Sequence, residues 1–142
     1  MTDAQIHFED VTVGSVLPEL VKRPTRTMLF RFSAVTWNAH RIHYDKTYAH
    51  GEGHQDVLVQ ATMHGAFLLE MVTAFAGPAG RVAKVNYSNR GKAFPGDVLT
   101  LGGIVTALDN LKGAAICEIW ERRQDGNVCA TGTAQIVLPR RS

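Results

Sequence analysis

The chain has 142 residues, of which 45% are hydrophobic and 20% are charged. These values are typical of one globular domain and exclude a chain that is disordered throughout. The formal net charge of +2 at pH 7 is too small to indicate nucleic acid as a partner. No apolar run is long enough to span a membrane, and the amino terminus has no secretory pattern. We therefore predict a single cytoplasmic domain over residues 1–142.

The first third of the chain is predicted to hold a short strand near Leu17–Arg23 and then a short buried helix. The apolar run MLFRFSAVT forms this helix, with Thr27 as its cap and an end near Trp37. Residues 38–56 are rich in His, Gly and charge and have no clear period. They predict a long loop with a single turn, and such loops in compact domains are usually functional or disordered.

A longer helix is predicted after the apolar run Val57–Val59. Its apolar residues recur at helical spacing and lie on most faces, which is typical of a buried helix. Gly77-Pro78 ends the helix because neither residue continues it. The residues that carry the spacing are Met63, Phe67, Leu68, Met71, Val72 and Phe75.

Four extended segments follow this helix, and turn signals such as Pro95-Gly96 separate them. Within the third segment, Cys117, Ile119 and Glu121 alternate with residues that point the other way. Cys117 and Cys129 lie on neighbouring segments, where thiols are more often small buried hydrophobes than a redox pair. One buried helix followed by antiparallel strands predicts an α+β fold, with a curved sheet wrapped around a central helix.

The segment Thr36–Asp45, TWNAHRIHYD, places titratable and amide side chains in one short bend. Asn38 stands five residues before His43, and Ala49 stands six residues after it. With these residues the chain resembles the MaoC-like hotdog-fold (R)-specific enoyl-thioester hydratases and 3-hydroxyacyl-thioester dehydratases. Their motif has an Asp five residues before a catalytic His and a small residue six after it. The wording N-x-H-R-I-H-Y-D is most similar to the branch of mitochondrial-type dehydratases and mesaconyl-CoA hydratases, in which Asn is common at the first position.

The resemblance implies a hotdog fold, an antiparallel sheet wrapped around a central helix, and a lyase of lipid metabolism. The implied reaction is reversible hydration of a 2-enoyl thioester to a 3-hydroxyacyl thioester. It needs no metal or redox cofactor, since CoA or the phosphopantetheine of an acyl carrier protein belongs to the substrate. Family sites lie at the junction of two hotdog units, which implies a homodimer or a heteromer with a second hotdog subunit.

Three residues are the predicted catalytic set. His43 is the proton-transfer group, because imidazole titrates near neutrality and both takes and returns a proton. Asn38 either orients the attacking water or forms an Asx turn that shapes the loop. The amide of Ala61, at the start of the longer helix, stabilises the charge on the thioester oxygen. The family usually has Gly where Ala61 stands, and His64-Gly65 offers a competing alignment one turn later.

Six further residues are predicted to bind substrate. Gln60 and Thr62 flank Ala61 at the helix start. His40 either lines the pocket or faces solvent, and Arg41 either pairs with Asp45 or meets an acyl carboxylate or phosphate. Arg90 and Lys92, in the strand region before the AFPGD turn, are weaker candidates for the CoA or phosphopantetheine tail.

Two other functions stay open at this point. An acyl-thioesterase on the same fold would need a carboxylate that activates water, and Glu70 is the candidate. A non-catalytic acyl-thioester-binding subunit would explain why Asn38 and Ala61 depart from the common family pattern. His50 and His54 do not indicate a metal site, because no second pair of ligands lies near them in the sequence.

Overall fold

The computed structural model describes residues 5–142, and its centre is one antiparallel sheet of five strands in the order β1-β3-β4-β5-β2. Short 3-10 helices occur at Phe8–Asp10 and Arg41–His43. The α+β architecture predicted from the sequence is confirmed. The elements are β1 Leu20–Lys22, α1 Arg26–Thr36, α2 Lys46–Gly51, α3 Ala61–Ala76, β2 Arg81–Asn89, β3 Leu99–Asp109, β4 Ala114–Arg123 and β5 Val128–Val137.

Helix α3 packs across the sheet and contacts β2, β3, β4 and β5. Leu68 and Val72 of the helix are fully buried, as are Leu101 and Ile119 on the facing strands. The opposite face of α3, which includes Leu69, is exposed. All six residues that carried the helical spacing are buried, as a buried helix requires, but the face with Ala66, Leu69, Glu70 and Thr73 is open to solvent in the single chain.

The two edges of the sheet differ in length. Strand β1 has three residues and pairs with β3, and Val16 adds one isolated bridge to Ile104. Strand β2 has nine residues, pairs with β5 on one side only, and is mostly exposed. A long unpaired edge strand presents free N–H and C=O groups along its outer side.

The sequence predicted Thr27 as the cap of α1, but the N-cap in the structure is Thr25. The Thr25 hydroxyl accepts a hydrogen bond from the Met28 amide at 3.2 Å, and Thr25 itself has extended backbone angles. The apolar run begins only at Met28, whereas the first helical turn is built from the polar residues Arg26 and Thr27. The helix ends at Thr36 with Trp37 as its C-cap, close to the predicted end. Only Leu29 and Ser33 of this helix are buried, so its prediction as a buried helix is wrong.

The segment 38–56 is more ordered than the predicted loop with a single turn. It contains the 3-10 helix Arg41–His43 and the α-helix α2. Asp45 caps α2 by accepting a hydrogen bond from the Tyr48 amide at 3.0 Å, and the Tyr44 hydroxyl donates to the Ala39 carbonyl at 2.8 Å. Local side-chain bonds to the backbone, and not an apolar period, fix this segment, which explains why periodicity did not reveal it.

Both cysteines are buried in the sheet, as predicted. Burial raises the pKa of Cys117 to about 11 and that of Cys129 to about 12, so both thiols stay protonated at neutral pH. No helix within residues 5–142 has the length and hydropathy that a membrane span requires.

Candidate active site

His43 lies at the end of the 3-10 helix Arg41–His43 and is only 8% exposed. Its Nδ1 is 2.8 Å from the carbonyl oxygen of Leu58, and the Leu58 amide donates to the Ile42 carbonyl at 2.9 Å. A carbonyl can only accept, so Nδ1 carries the proton and Nε2 has a free lone pair. Two hydrogen bonds thus hold the imidazole beside the segment that leads into α3.

The pKa of His43 lies below its ordinary value. Burial is the main cause, and the nearby His40 adds a smaller effect in the same direction. The hydrogen bond to the Leu58 carbonyl opposes the shift without reversing it. The ring is therefore neutral at physiological pH, the form in which Nε2 can accept a proton.

A cavity of about 260 Å³, here called the His43 cleft, opens beside this ring. Arg26 borders it, and its Nη2 donates to both carboxylate oxygens of Asp56 at 2.6 and 2.8 Å. Arg26, Thr27 and Phe30 of α1 reach the cleft together because their spacing places them on one helix face. The cleft is lined by Arg26, Thr27, Phe30, His43, Tyr44 and Val57.

The start of α3 follows the segment that holds the His43 ring, because Ala61 comes three residues after Leu58. Ala61 and Thr62 themselves do not line the His43 cleft. The first amide bonded within the helix is that of Met63, which donates to the Gln60 carbonyl at 2.9 Å. In the part of the chain that the structure describes, the amides of Ala61 and Thr62 have no acceptor, and both residues are exposed. These N–H groups and the helix dipole favour negative charge at this point.

Gln60 is fully buried beneath the helix start and does not face the cleft. Its side-chain amide donates to the Leu29 carbonyl at 2.7 Å and to the Ser33 hydroxyl at 2.9 Å. These bonds fasten the first turn of α3 to α1. The structure therefore gives Gln60 a packing role where the sequence predicted contact with substrate.

Asn38 lines a second cavity, which is next to the His43 cleft. Its Oδ1 accepts from the His40 amide at 3.3 Å, which is the Asx turn considered for it from the sequence. The second cavity, the Trp37 groove, also measures about 260 Å³. Phe30 and Tyr44 border both cavities. The Trp37 groove is lined by Phe30, Ser33, Ala34, Trp37, Asn38, Ala39 and Tyr44.

His40 and Arg41 lie on the outer side of the bend. The Arg41 guanidinium donates to Asp45 at 2.6 and 3.1 Å and lies over the Tyr48 ring at 4.7 Å, so the pairing within the loop is the geometry found. The Tyr48 amide, and after it this guanidinium, hold the pKa of Asp45 below its ordinary value. His40 is exposed, and its ring meets that of His43 edge-on at 6.0 Å.

Arg90 and Lys92 lie beyond the end of β2, so their predicted place within a strand is wrong. Arg90 donates to the Thr131 hydroxyl at 3.3 Å and borders a cavity of about 450 Å³ on the outer face of the sheet. Lys92 lies 3.1 Å from a ring nitrogen of His54. Neither cation lines the His43 cleft. Among residues 5–142, no three His, Cys, Asp or Glu side chains group as metal ligands.

A second buried histidine was not recognised as part of a pair. His64, on α3, is hydrogen-bonded through Nδ1 to Glu121 on β4, and both side chains are buried. The alternation along β4 puts Glu121 on the same side as Cys117 and Ile119, which was the available signal. Gly65 packs against the Tyr87 ring, where a Cβ would lie 2.2 Å from Cζ. The alignment through His64-Gly65 therefore falls within the core, and the helix starts at Ala61.

Glu70, the candidate for thioester hydrolysis, lies half-exposed on α3. Its carboxylate accepts from the Lys22 ammonium at 2.5 Å. The His43 cleft does not include it. The carboxylate is thus engaged by a cation on β1 and is outside the cavity that holds the imidazole.

Comparison with known proteins matches residues 16–95 to the family model described as hydroxyacyl-thioester dehydratase type 2. The chain belongs to this family. Its members are hydratases and dehydratases, which are hydro-lyases, and the resemblance predicted from the bend is confirmed. The predicted hotdog fold is confirmed as well, because the chain superimposes on the (R)-hydratase from A. caviae with a TM-score of 0.85 at 23% identity, covering 92% of this chain and 99% of that one.

The chain is also similar in sequence to two known proteins, and it covers a different share of each. A mesaconyl-C(4)-CoA hydratase of Chloroflexus aurantiacus is 49% identical over 49 residues, which are 34% of this chain and 18% of that protein. The beta subunit of a 3-oxo-4,17-pregnadiene-20-carboxyl-CoA hydratase of Mycobacterium tuberculosis is 26% identical over 98 residues, 69% of this chain and 76% of that one. The chain thus matches under a fifth of the first relative and about three quarters of the second.

Proposed function

We propose that this protein catalyses the reversible hydration of a 2-enoyl thioester to an (R)-3-hydroxyacyl thioester, with His43 as the proton-transfer residue. The observation that carries the proposal is the geometry of His43. Its Nδ1 is held by the Leu58 carbonyl, Nε2 is free and the ring lines a cleft. Leu58 lies three residues before Ala61, whose amide is open at the start of α3. Membership in a family of hydroxyacyl-thioester dehydratases supports the same reaction.

Each part of the proposed reaction is assigned to a different group. His43 Nε2 accepts a proton from water as the water oxygen bonds to C3, and the resulting imidazolium returns a proton to C2. The thioester oxygen carries enolate charge between these events, and the amides of Ala61 and Thr62 would donate to it. One such donor is worth roughly 3–4 kcal/mol in enzymes where it has been removed. The side-chain NH2 of Asn38 would orient the water, since its Oδ1 accepts from the His40 amide. No metal or redox cofactor is required by this scheme.

The substrate thiol is CoA or a carrier-protein phosphopantetheine in this proposal. The relatives named as CoA hydratases favour CoA. Because Arg90 and Lys92 lie away from the cleft, the phosphates of CoA would meet Arg26 or a residue of another subunit before they reach either cation.

The active unit is proposed to be a pair of hotdog chains joined through β2. The exposed edge of β2 and the exposed face of α3 lie on neighbouring elements, and pairing two copies would extend the sheet and cover both. A homodimer is the simplest form, and a heteromer with a second hotdog subunit is the alternative, supported by the relative named as a beta subunit. Sedimentation equilibrium separates a mass of two chains from a mass of one.

The decisive experiment follows the conjugated-enoyl absorbance of crotonyl-CoA and longer enoyl-CoAs with purified protein. Absorbance should fall without release of free thiol, and His43→Ala should lower the rate by about 10²–10⁴-fold. His50→Ala is the matched control, since His50 lies in the same segment and bonds only the Gln55 carbonyl. Release of thiol would favour thioester hydrolysis, and a His43→Ala variant with full activity would refute the assignment.

If the purified chain alone shows no turnover, the same assay is repeated after a second hotdog subunit from the source cell is added. Activity that appears only in the mixture, and is lost with His43→Ala, places the reaction in a heteromer. Activity in the mixture that is unaffected by His43→Ala makes this chain a supporting subunit, the third function considered from the sequence.

A further inference from the structure

The Trp37 groove is largely apolar, although four of its residues, Ser33, Trp37, Asn38 and Tyr44, carry polar side-chain atoms. The Ser33 hydroxyl accepts from Gln60, the Asn38 oxygen accepts from the His40 amide, and the Tyr44 hydroxyl donates to the Ala39 carbonyl. The rest of the wall consists of aromatic rings and the methyl groups of Ala34 and Ala39, together with the N–H groups of the Asn38 and Trp37 side chains. A ligand in this groove would gain by burying hydrocarbon and would find few hydrogen-bonding partners.

Trp37 is exposed at a position whose backbone favours another residue. Its φ of 54° is the one positive value at a non-glycine residue among residues 5–142, and its side chain is 93% exposed. Gly and Asn suit this left-handed position at a helix end, whereas a bulky residue is strained there. The Trp37 side chain packs against little of its own chain, and its backbone conformation is strained. Contact between the indole and a ligand would explain why a Trp stands at this position.

The groove adjoins the His43 cleft. Phe30 and Tyr44 form walls of both cavities, and Phe30 is 61% exposed. A substrate whose reacting carbons lie at His43 would therefore extend into the groove with whichever of its parts is apolar. In an acyl thioester that part is the acyl chain beyond C3, since the pantetheine arm and the nucleotide are polar.

We propose that the Trp37 groove binds the acyl chain of the substrate and makes the protein select acyl groups longer or bulkier than four carbons. This inference rests on the proposed function, because it takes the thioester hydrated at His43 as the occupant. Trp37 and Phe30 are then specificity residues. Short diacids would gain nothing from such a surface.

The test measures binding of two saturated thioesters, butyryl-CoA and octanoyl-CoA, which cannot be hydrated. Octanoyl-CoA should bind at least about tenfold tighter, because burying one methylene is worth roughly fourfold in affinity. Trp37→Gly should remove most of that preference and leave butyryl-CoA within about twofold. Since Gly adopts the left-handed backbone freely, the resistance of this variant to denaturant should not fall.

Two further variants make the result specific to the groove. Ala34→Leu should fill it and weaken octanoyl-CoA without weakening butyryl-CoA. Val35→Ala is the matched control, because Val35 is an exposed aliphatic residue of the same helix outside the groove. It should change neither affinity.

Equal affinities of the wild type for the two thioesters, or a preference that survives both Trp37→Gly and Ala34→Leu, would overturn the proposal. A change of mass in sedimentation with Trp37→Gly, together with unchanged chain-length preference, would identify the groove as a contact between subunits and would also overturn it. The proposed function fails separately, through absent hydration of every enoyl-CoA, since these binding measurements need no turnover.

Discussion

Two histidines in this protein are almost equally buried, and their surroundings differ in one decisive respect. His43 is 8% exposed, bonds a backbone carbonyl and lines a cleft. His64 is 2% exposed and bonds the carboxylate of Glu121, which is 0% exposed. Burial therefore does not distinguish a catalytic histidine from a structural one. The distinction lies in whether the second ring nitrogen reaches a space that a substrate can enter.

The pair of His64 and Glu121 has a different physical character from the His43 site. The Nε2 of His64 and the Oε2 of Glu121 are buried and have no partner among the described residues. Neither side chain lines the two cavities beside α1. Polar groups in such a place are costly, and each depends on the other because neither has another side-chain partner.

The largest expected effect is on stability and comes from separating the buried pair. His64→Leu leaves Glu121 alone in the core, and Glu121→Leu leaves His64 alone, so each should lower the free energy of unfolding by about 3–5 kcal/mol. The double variant removes both polar groups at similar volume and should recover most of that loss. Denaturant unfolding of the three variants measures this.

A double variant as unstable as the sum of the singles would contradict this account of the pair. Such additivity would mean that the two side chains contribute independently. His43→Ala serves as the cross-control, since it should remove activity while costing much less stability than either core variant.

The next effect is the pH dependence of activity, because the proposed base works only when neutral. The pKa of His43 is lowered by burial, so kcat/KM should fall tenfold per pH unit only at pH values below the ordinary histidine pKa of about 6.5. A midpoint at or above that value in the rate profile of the free enzyme would contradict the lowered pKa.

The same shift acts on stability with a defined sign. Below pH 6.5 or so, the unfolded chain binds a proton at His43 that the folded chain binds only at lower pH. His43 therefore lowers stability as the pH falls through this window, and the contribution should disappear in His43→Ala. Comparing denaturant midpoints of the two proteins across this pH range tests the sign.

A smaller effect is expected at Gln60, which joins the two helices near the site. Gln60→Leu removes the bonds to the Leu29 carbonyl and the Ser33 hydroxyl, and it also removes a buried Oε1 that has no partner. The two contributions oppose each other, so the net loss should be about 1 kcal/mol in denaturant unfolding. Ser33→Ala, which removes one acceptor, should cost less. A loss above about 3 kcal/mol would show that the start of α3 depends on this anchor.

Sequence and structure agree where the signal is local and periodic. The apolar spacing from Met63 to Phe75 predicted α3, and the helix begins at Ala61. The pair of Arg41 and Asp45, four positions apart in the bend, was one of the two possibilities considered for Arg41 and is present. Strand alternation placed Glu121 on the same side of β4 as Cys117 and Ile119, and all three are buried.

What the sequence did not reveal depends on contacts between distant residues or on polar bonds without a period. His64 and Glu121 are separated by 57 positions, so no local pattern joins them. Arg26 enters the cleft through its pairing with Asp56, which lies 30 positions away. Helix α2 begins where the Asp45 side chain caps it by accepting from the Tyr48 amide, a polar bond that has no periodic signature. Arg90 and Lys92 were predicted to lie in a strand, but β2 ends at Asn89, one residue before Arg90, and neither side chain lines the His43 cleft.

The smallest effect is expected at Glu70, a carboxylate on the same helix as His64 but at its surface. Glu70 is half-exposed and pairs with Lys22, and exposed ion pairs contribute about 0–1 kcal/mol. Glu70→Gln should therefore change stability and hydration rate very little, whereas Glu121→Gln should change stability measurably because its partner is buried. A Glu70→Gln variant that lost most of its activity, with thiol release by the wild type, would move the chemistry from His43 to the carboxylate. His43 would then be a structural residue, as His64 is.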